Sequence, residues 1–153
     1  MTRPMPMKQP LGSTIGKSSA TLCAMGTIYA DLRVSNFGKP ELEEITVNAL
    51  VDTGALDLVI PEHLAIQLRL DDLKPREVIL ADGSRKLERY AGPIKVDMMG
   101  RDCVTAALIM GDQVLLGAVP MQQMDVIVHP GAEQVVPNPE SPNVPLFLAK
   151  TAA

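Results

Sequence analysis

Residues 49–60 read ALVDTGALDLVI, and this stretch carries the strongest structural signal in the chain. It sets the triplet Asp52-Thr53-Gly54 between two aliphatic runs. Because Asp and Gly are favoured in turns, an ordinary surface turn is one interpretation of the triplet. A surface turn needs no apolar walls, however, and here the aliphatic neighbours press the Asp52 carboxylate towards a core. We therefore predict a strand that leads directly into a loop holding a carboxylate.

The sequence before this loop alternates as strands do. Every second residue is apolar in residues 28–34 and again in residues 45–51. A period of two predicts strands that each bury one face. The loop therefore follows the second of two predicted strands.

The sequence after the loop predicts one short helix and several more strands. Pro61 suits the first turn of a helix of about two turns. The turn pair Asp82-Gly83 then separates an aliphatic segment from a polar strand. Short strands with turn signals between them predict an all-β barrel or sandwich. The strands expected here lie near residues 78–80, 84–90, 94–98 and 103–110.

Length and proline content predict a single domain with flanking segments. A chain of 153 residues is long enough for one hydrophobic core but short for two domains. Proline is concentrated towards both ends, which places the folded domain at about residues 26–136. We expect residues 1–25 to form a disordered extension and residues 137–153 to form a Pro-rich tail.

Composition excludes several partners and cofactors. The net charge of −4 and the lack of a basic cluster interleaved with aromatic residues argue against nucleic acid. The sequence contains no run of about 18 apolar residues, so we expect no membrane-spanning helix. Cys23 and Cys103 do not have the spacing of a disulfide framework or zinc site, so a reducing cytoplasm is expected. His63 and His129 are far apart without ligand-spaced partners, so we expect no metal or other cofactor.

A second motif follows the Asp-Thr-Gly loop. Residues 115–118 read LLGA, and a short helical segment is expected after them. An apolar strand entering Asp-Thr-Gly-Ala, followed later by two aliphatic residues and a glycine, resembles the retropepsin-like, retroviral-type aspartic proteases. The resemblance covers about residues 27–136. It is nearest to bacterial single-domain members, which continue to a Met-Asp-Val strand, here Met124-Asp125-Val126.

The resemblance implies a fold, an activity and a partner. The fold would be an all-β closed barrel with one or two short helices, functioning as a homodimer. The activity would be that of an aspartic endopeptidase that hydrolyses a peptide or protein substrate. Asp52 would be the catalytic carboxylate, Thr53 would brace the two active-site loops across the dimer, and Gly54 would bind the substrate backbone.

The same resemblance places the substrate and the dimer contact. The segment ADGS at residues 81–84 falls where such proteins carry a flap hairpin. Residues 27–34 and 133–136 would contribute strands to the interface, since unpaired strand edges otherwise invite aggregation. The expected substrate-binding residues are Ala55, Asp57, Ala81, Asp82, Gly83, Leu116 and Gly117.

Three departures from the retroviral pattern keep two other functions open. Leu56 stands where retroviral enzymes have a second Asp, and Ala118 stands where they have Arg. The predicted flap contains one glycine, Gly83, rather than several. These differences are compatible with a dimeric peptide-binding module that lacks useful turnover. In a third interpretation the protein is a structural dimer, and Asp52 is a buried turn residue.

Overall fold

The computed structural model describes residues 26–150, which form nine strands and two short α-helices. The predicted extension at residues 1–25 lies outside the described residues. In chain order the elements are β1 (Tyr29–Asn36), β2 (Ile45–Val51), β3 (Leu58–Ile60), α1 (Glu62–Gln67), β4 (Asp71–Ile79), β5 (Arg85–Met98), β6 (Arg101–Ile109), β7 (Leu115–Leu116), α2 (Ala118–Met124), β8 (Val126–His129), a single 3₁₀ turn (Pro130–Ala132) and β9 (Gln134–Pro137).

Strand pairing closes most of the fold into a ring. The order β1-β2-β7-β3-β6-β5 returns to its start because β5 also pairs with β1. β4 pairs with β5 on the outside of this ring, and β8 pairs with β9 in a separate two-stranded sheet. The structure therefore confirms the all-β fold predicted from the sequence.

The interior of the ring is built from aliphatic and methionine side chains. Ala30, Leu32 and Val34 are buried along β1, while the residues between them are exposed or half-buried. This alternation is the one predicted for residues 28–34. Full burial of a Val or Leu side chain contributes about 1.5–3 kcal/mol, so one such strand face is a substantial part of the core.

The predicted helix after the loop is present as α1. Pro61 is the extended residue that precedes the helix, and Leu64 is buried on its inner face. The buried side chain of Asn36 donates to the carbonyls of Leu68 and Arg69, both at 3.0 Å. Asn36 thus satisfies backbone acceptors at the end of α1 that have no partner within the helix. Neither described helix is long and apolar enough to cross a membrane.

Two strand assignments differ from the sequence prediction. β5 is one strand of 14 residues, whereas the sequence predicted two separate strands over this region. The ladder to β6 shifts register between Ala91 and Ile94, where Gly92-Pro93 interrupts it, and then resumes. Proline lacks an amide donor, so a local break is expected without an end to the strand. β4 also begins earlier than predicted, at Asp71.

The predicted interface strand and the predicted Met-Asp-Val strand need correction. β1 pairs with β2 from Tyr29 to Val34 and with β5 from Arg33 to Asn36. The expectation of an unpaired edge is therefore wrong for the second half of β1. Asp125 is not in a strand. It follows the last residue of α2 with a left-handed φ of 52°, and β8 begins at the next residue.

Candidate active site

The backbone of Asp52 is fixed where β2 runs beside β7. The two strands are parallel, with Leu50 opposite Leu115 and Val51 opposite Leu116. The amide of Asp52 donates to the carbonyl of Leu116 at 3.1 Å, which extends the pairing to Asp52 itself. Backbone pairing between β2 and β7 thus fixes the position of Asp52 independently of any side-chain contact.

The loop after Asp52 turns tightly around the carboxylate. The amide of Ala55 donates to the carbonyl of Asp52 at 3.1 Å, and the amide of Gly54 donates to Asp52 Oδ1 at 2.9 Å. A Cβ atom on Gly54 would lie only 3.2 Å from that oxygen, so glycine suits this close approach. Asp52 remains half-buried, while Thr53 is exposed at the tip of the loop.

Gly117 and the start of α2 pack against the Asp52 loop. A Cβ atom on Gly117 would lie 2.2 Å from the carbonyl oxygen of Asp57, which no side chain tolerates. The amides of Ala118 and Val119 donate to the carbonyls of Ala55 and Leu56, both at 2.9 Å. These amides open a helix and have no partner inside it, so the loop carbonyls satisfy them.

A cleft of about 590 Å³ opens beside Asp52. Two of its lining residues, Asp52 and Asp57, carry charge, and most of the others are aliphatic. Clefts of this size with a few polar groups in an apolar wall are typical ligand sites. In residues 26–150 no cluster of His, Cys, Asp and Glu could hold a metal ion. The lining residues are Asp52, Gly54, Ala55, Leu56, Asp57, Val59, Val78, Ile79, Leu80, Ala81, Leu108, Met110 and Leu115.

The far wall of the cleft is the hairpin formed by β4 and β5. Leu80 closes the hairpin, because its amide donates to the carbonyl of Ser84 at 2.9 Å and its carbonyl accepts from the amide of Gly83 at 2.9 Å. Asp82 Oδ1 accepts from the amide and hydroxyl of Ser84, and these bonds lower the pKa of the Asp82 carboxyl. Gly83 has a φ of 83°, which glycine adopts without strain.

Tyr90 and Arg76 contact each other near the base of this hairpin. The guanidinium carbon of Arg76 lies 4.5 Å from the centroid of the Tyr90 ring, within the range of a cation–π contact. Burial of Tyr90 raises the pKa of its phenol, and the negative charge of Asp57 adds to the effect. Tyr90 also lies opposite Leu108 of the cleft wall in the ladder between β5 and β6.

Comparison with known proteins identifies the fold and the family. A family profile described as aspartyl protease matches residues 39–118, which are more than half of the chain and include both the Asp52 loop and Gly117. This chain belongs to the aspartyl protease family. No curated protein sequence matches it significantly. Among solved structures, the EIAV protease complexed with the inhibitor HBY-793 matches with a TM-score of 0.51 and 16% identity, covering 73% of this chain and 92% of the viral one.

The residues predicted to form the site of this aspartyl protease family member fall into two groups. Asp52, Gly54, Ala55, Asp57 and Ala81 share the cleft wall. The others lie outside it: Thr53, Asp82 and Gly83 are exposed at loop tips, and Leu116 and Gly117 are buried beneath the Asp52 loop.

Most of the apolar wall was not predicted from the sequence. Leu56, Val59, Ile79, Leu108 and Met110 come from three stretches of the chain, at residues 56–59, at residue 79 and at residues 108–110. Their only sequence signal is that they are apolar and lie in or next to predicted strands, which is equally true of core residues. The pairing of β3 with β6 and of β4 with β5 is what brings them to one cleft.

Proposed function

We propose that the protein is an aspartic endopeptidase whose active site is completed by Asp52 of a second copy of the chain. One observation carries this proposal. A half-buried carboxylate is fixed by β2 and β7 at the rim of an apolar cleft, in a chain with a single Asp-Thr-Gly triplet. Hydrolysis of an amide by this route needs both a base and an acid, and each copy supplies one carboxylate.

The proposed reaction uses two Asp52 carboxyl groups that share one proton. Two carboxylates about 3 Å apart cannot both ionise cheaply, so one holds the proton. The ionised group removes a proton from water as the water oxygen attacks the peptide carbonyl carbon. The other group donates its proton to the carbonyl oxygen. Collapse of this tetrahedral intermediate returns a proton to the leaving nitrogen and breaks the carbon–nitrogen bond.

Replacement of Asp52 by Asn tests the assignment. Asn is nearly isosteric and can still accept the hydrogen bond of the Gly54 amide, but it cannot act as the base. We expect Asp52→Asn to abolish cleavage of a diverse peptide library, monitored by mass spectrometry, without a change in the circular dichroism spectrum. Asp102→Asn is the matched control, because Asp102 lies on β6 away from the cleft lining. Unchanged cleavage by the Asp52 variant would rule out the proposed chemistry.

Mixing the two chains tests the shared site. If one active site needs two wild-type Asp52 residues, an excess of Asp52→Asn chains converts wild-type dimers into inactive hybrids. Activity of the wild-type chain should then fall as the variant is added, after time for subunit exchange. Constant activity despite exchange, followed with differently labelled chains, would refute a site shared by two copies.

A dimeric peptide-binding module is the alternative function. Leu56 is 68% exposed on the cleft, where retroviral enzymes present a polar group to the substrate main chain. Such a module would bind peptides from the same library and release them uncut. Measurement of both binding and cleavage in one titration separates the two functions.

A further inference from the structure

An exposed apolar strip follows the last strand of the fold. Residues 144–148 read VPLFL, and four of their side chains face solvent. The exposed fractions are 69% for Val144, 57% for Leu146, 67% for Phe147 and 97% for Leu148. Contiguous apolar surface of this kind marks an interaction site more often than isolated exposed residues do.

The strip is held in place by a polar cluster centred on Asp125. Asp125 Oδ2 accepts from the amide of Leu146 at 2.9 Å and from the hydroxyl of Ser141. Asp125 Oδ1 accepts from the side-chain amide of Asn138 at 3.0 Å. Four donors from the domain and the tail therefore converge on this carboxylate, the fourth being Arg101 at 3.4 Å.

Arg101 secures the same segment from inside the fold. Its side chain is only 5% exposed, and it donates to the carbonyl of Asp125 at 2.7 Å and to the carbonyl of Ser141. Burying a guanidinium is costly unless its donors are satisfied. Here the carbonyls of Met124 and Asp125 in the domain and the carbonyl of Ser141 in the tail accept from them. The buried guanidinium of Arg101 thus helps to hold the tail in a position where the apolar side chains of the strip face solvent.

The strip lies next to the helix that supports the active site. Leu146, Phe147 and Leu148 form a groove with Val119 and other residues of α2. The amide of Val119 is bound to the carbonyl of Leu56, which is itself exposed on the Asp52 loop. One short helix therefore connects the strip to the loop that carries the catalytic carboxylate.

We propose that the apolar strip is part of the surface on which a second copy of this chain docks to complete the active site. This inference rests on the proposed function, in which the site is incomplete without that copy. Residues 141–149 carry no charged side chain, although the chain has a net charge of −4. A two-fold contact places like residues near each other, so an uncharged apolar surface lets two acidic copies approach without repulsion.

The two phenylalanines of the chain provide a matched test. Phe147 is in the strip, and Phe37 is similarly exposed, at 58%, in the loop after β1. We expect Phe147→Asp to raise the dimer dissociation constant at least about tenfold in sedimentation velocity experiments, because it places charge in an apolar contact. Phe37→Asp should leave that constant unchanged. Leu148→Asp guards against a folding artefact, since Leu148 makes almost no contact within one copy.

The outcomes separate this inference from the proposed function. If wild type is dimeric and both strip variants dimerise normally, the strip is not the contact, and the inference is wrong whatever the cleavage assay gives. A wild-type chain that stays monomeric at all concentrations would also overturn it. If wild type is a dimer that cleaves no peptide, and the strip variants are monomers, the docking surface stands and the endopeptidase function fails instead.

Discussion

At the residue scale, Gly117 is the position where one atom decides the geometry of the site. It touches the backbone of Asp57, and the segment after it hydrogen-bonds the Asp52 loop. A methyl group there can be accommodated only if one backbone moves away from the other. The role of Gly117 is thus to allow close packing, and its φ of −86° needs no glycine.

We predict that Gly117→Ala destabilises the fold by about 1–3 kcal/mol, the usual cost of overpacking. It should also displace the Asp52 loop and lower peptide cleavage more than the loss of stability explains. Urea unfolding and cleavage rates under conditions where the variant is folded check both effects. Gly26→Ala is the control, because nothing lies within 4 Å of a Cβ atom at that position. Equal behaviour of the two variants would contradict the packing role.

At the element scale, two hairpins of similar turn chemistry have different roles. The turn between β4 and β5 contains Gly83, and the turn between β5 and β6 contains Gly100, with φ values of 83° and 76°. β4 is exposed along nearly its whole length, whereas β6 buries alternate residues in the core. β4 therefore contributes little to the core, although the end of its hairpin with β5 lines the cleft.

Proline at each turn distinguishes these roles, since its φ of about −65° is incompatible with both positions. We expect Gly83→Pro to reduce kcat/KM for peptides while the thermal midpoint stays nearly unchanged. Gly100→Pro should lower the thermal midpoint clearly, because it disturbs a hairpin that forms the core. A large loss of stability in the first variant would show that the β4–β5 hairpin is structural rather than a mobile cover.

At the scale of the whole molecule, Asp125 joins the tail to the domain through hydrogen bonds to its carboxylate. Hydrogen bonds from Ser141, Asn138 and the Leu146 amide lower the pKa of Asp125 from 3.8 to about 2. A carboxyl group whose pKa is lower in the folded state stabilises the fold above its unfolded pKa. That contribution is lost as the pH falls through the folded value.

We therefore predict that Asp125→Asn lowers the thermal midpoint at pH 5–7. The difference from wild type should shrink between about pH 4 and pH 2, because the wild-type Asp125 carboxylate is protonated over this range, first in the unfolded and then in the folded state. Scanning calorimetry across this range gives the comparison. Asp112→Asn serves as the control, because Asp112 is an exposed residue outside the tail cluster. A constant difference down to pH 2 would mean that the charge of Asp125 is not what holds the tail.

Local sequence was enough to predict the loop that follows β2 at Asp52 and the alternation of the first strands. Two short patterns could each be recognised from a few neighbouring residues. They are Asp-Thr-Gly-Ala after an alternating strand and, later in the chain, Leu-Leu-Gly-Ala. The strand face of Ala30, Leu32 and Val34 follows from a period of two, and α1 follows Pro61 as expected. Such features depend on neighbours in sequence, so no tertiary contact was needed to predict them.

Closure of the ring, the apolar cleft wall and the anchored tail depend on contacts between distant segments. β1 meets β5 across some 60 positions, and Asp125 meets Leu146 although proline-rich sequence separates them. Nothing local marks Asn138 or Ser141 as ligands of a carboxylate, because polar residues among prolines are equally typical of a free tail. Both side chains bind the Asp125 carboxylate, and the Ser141 carbonyl also accepts from the buried Arg101, contacts that only the folded chain makes.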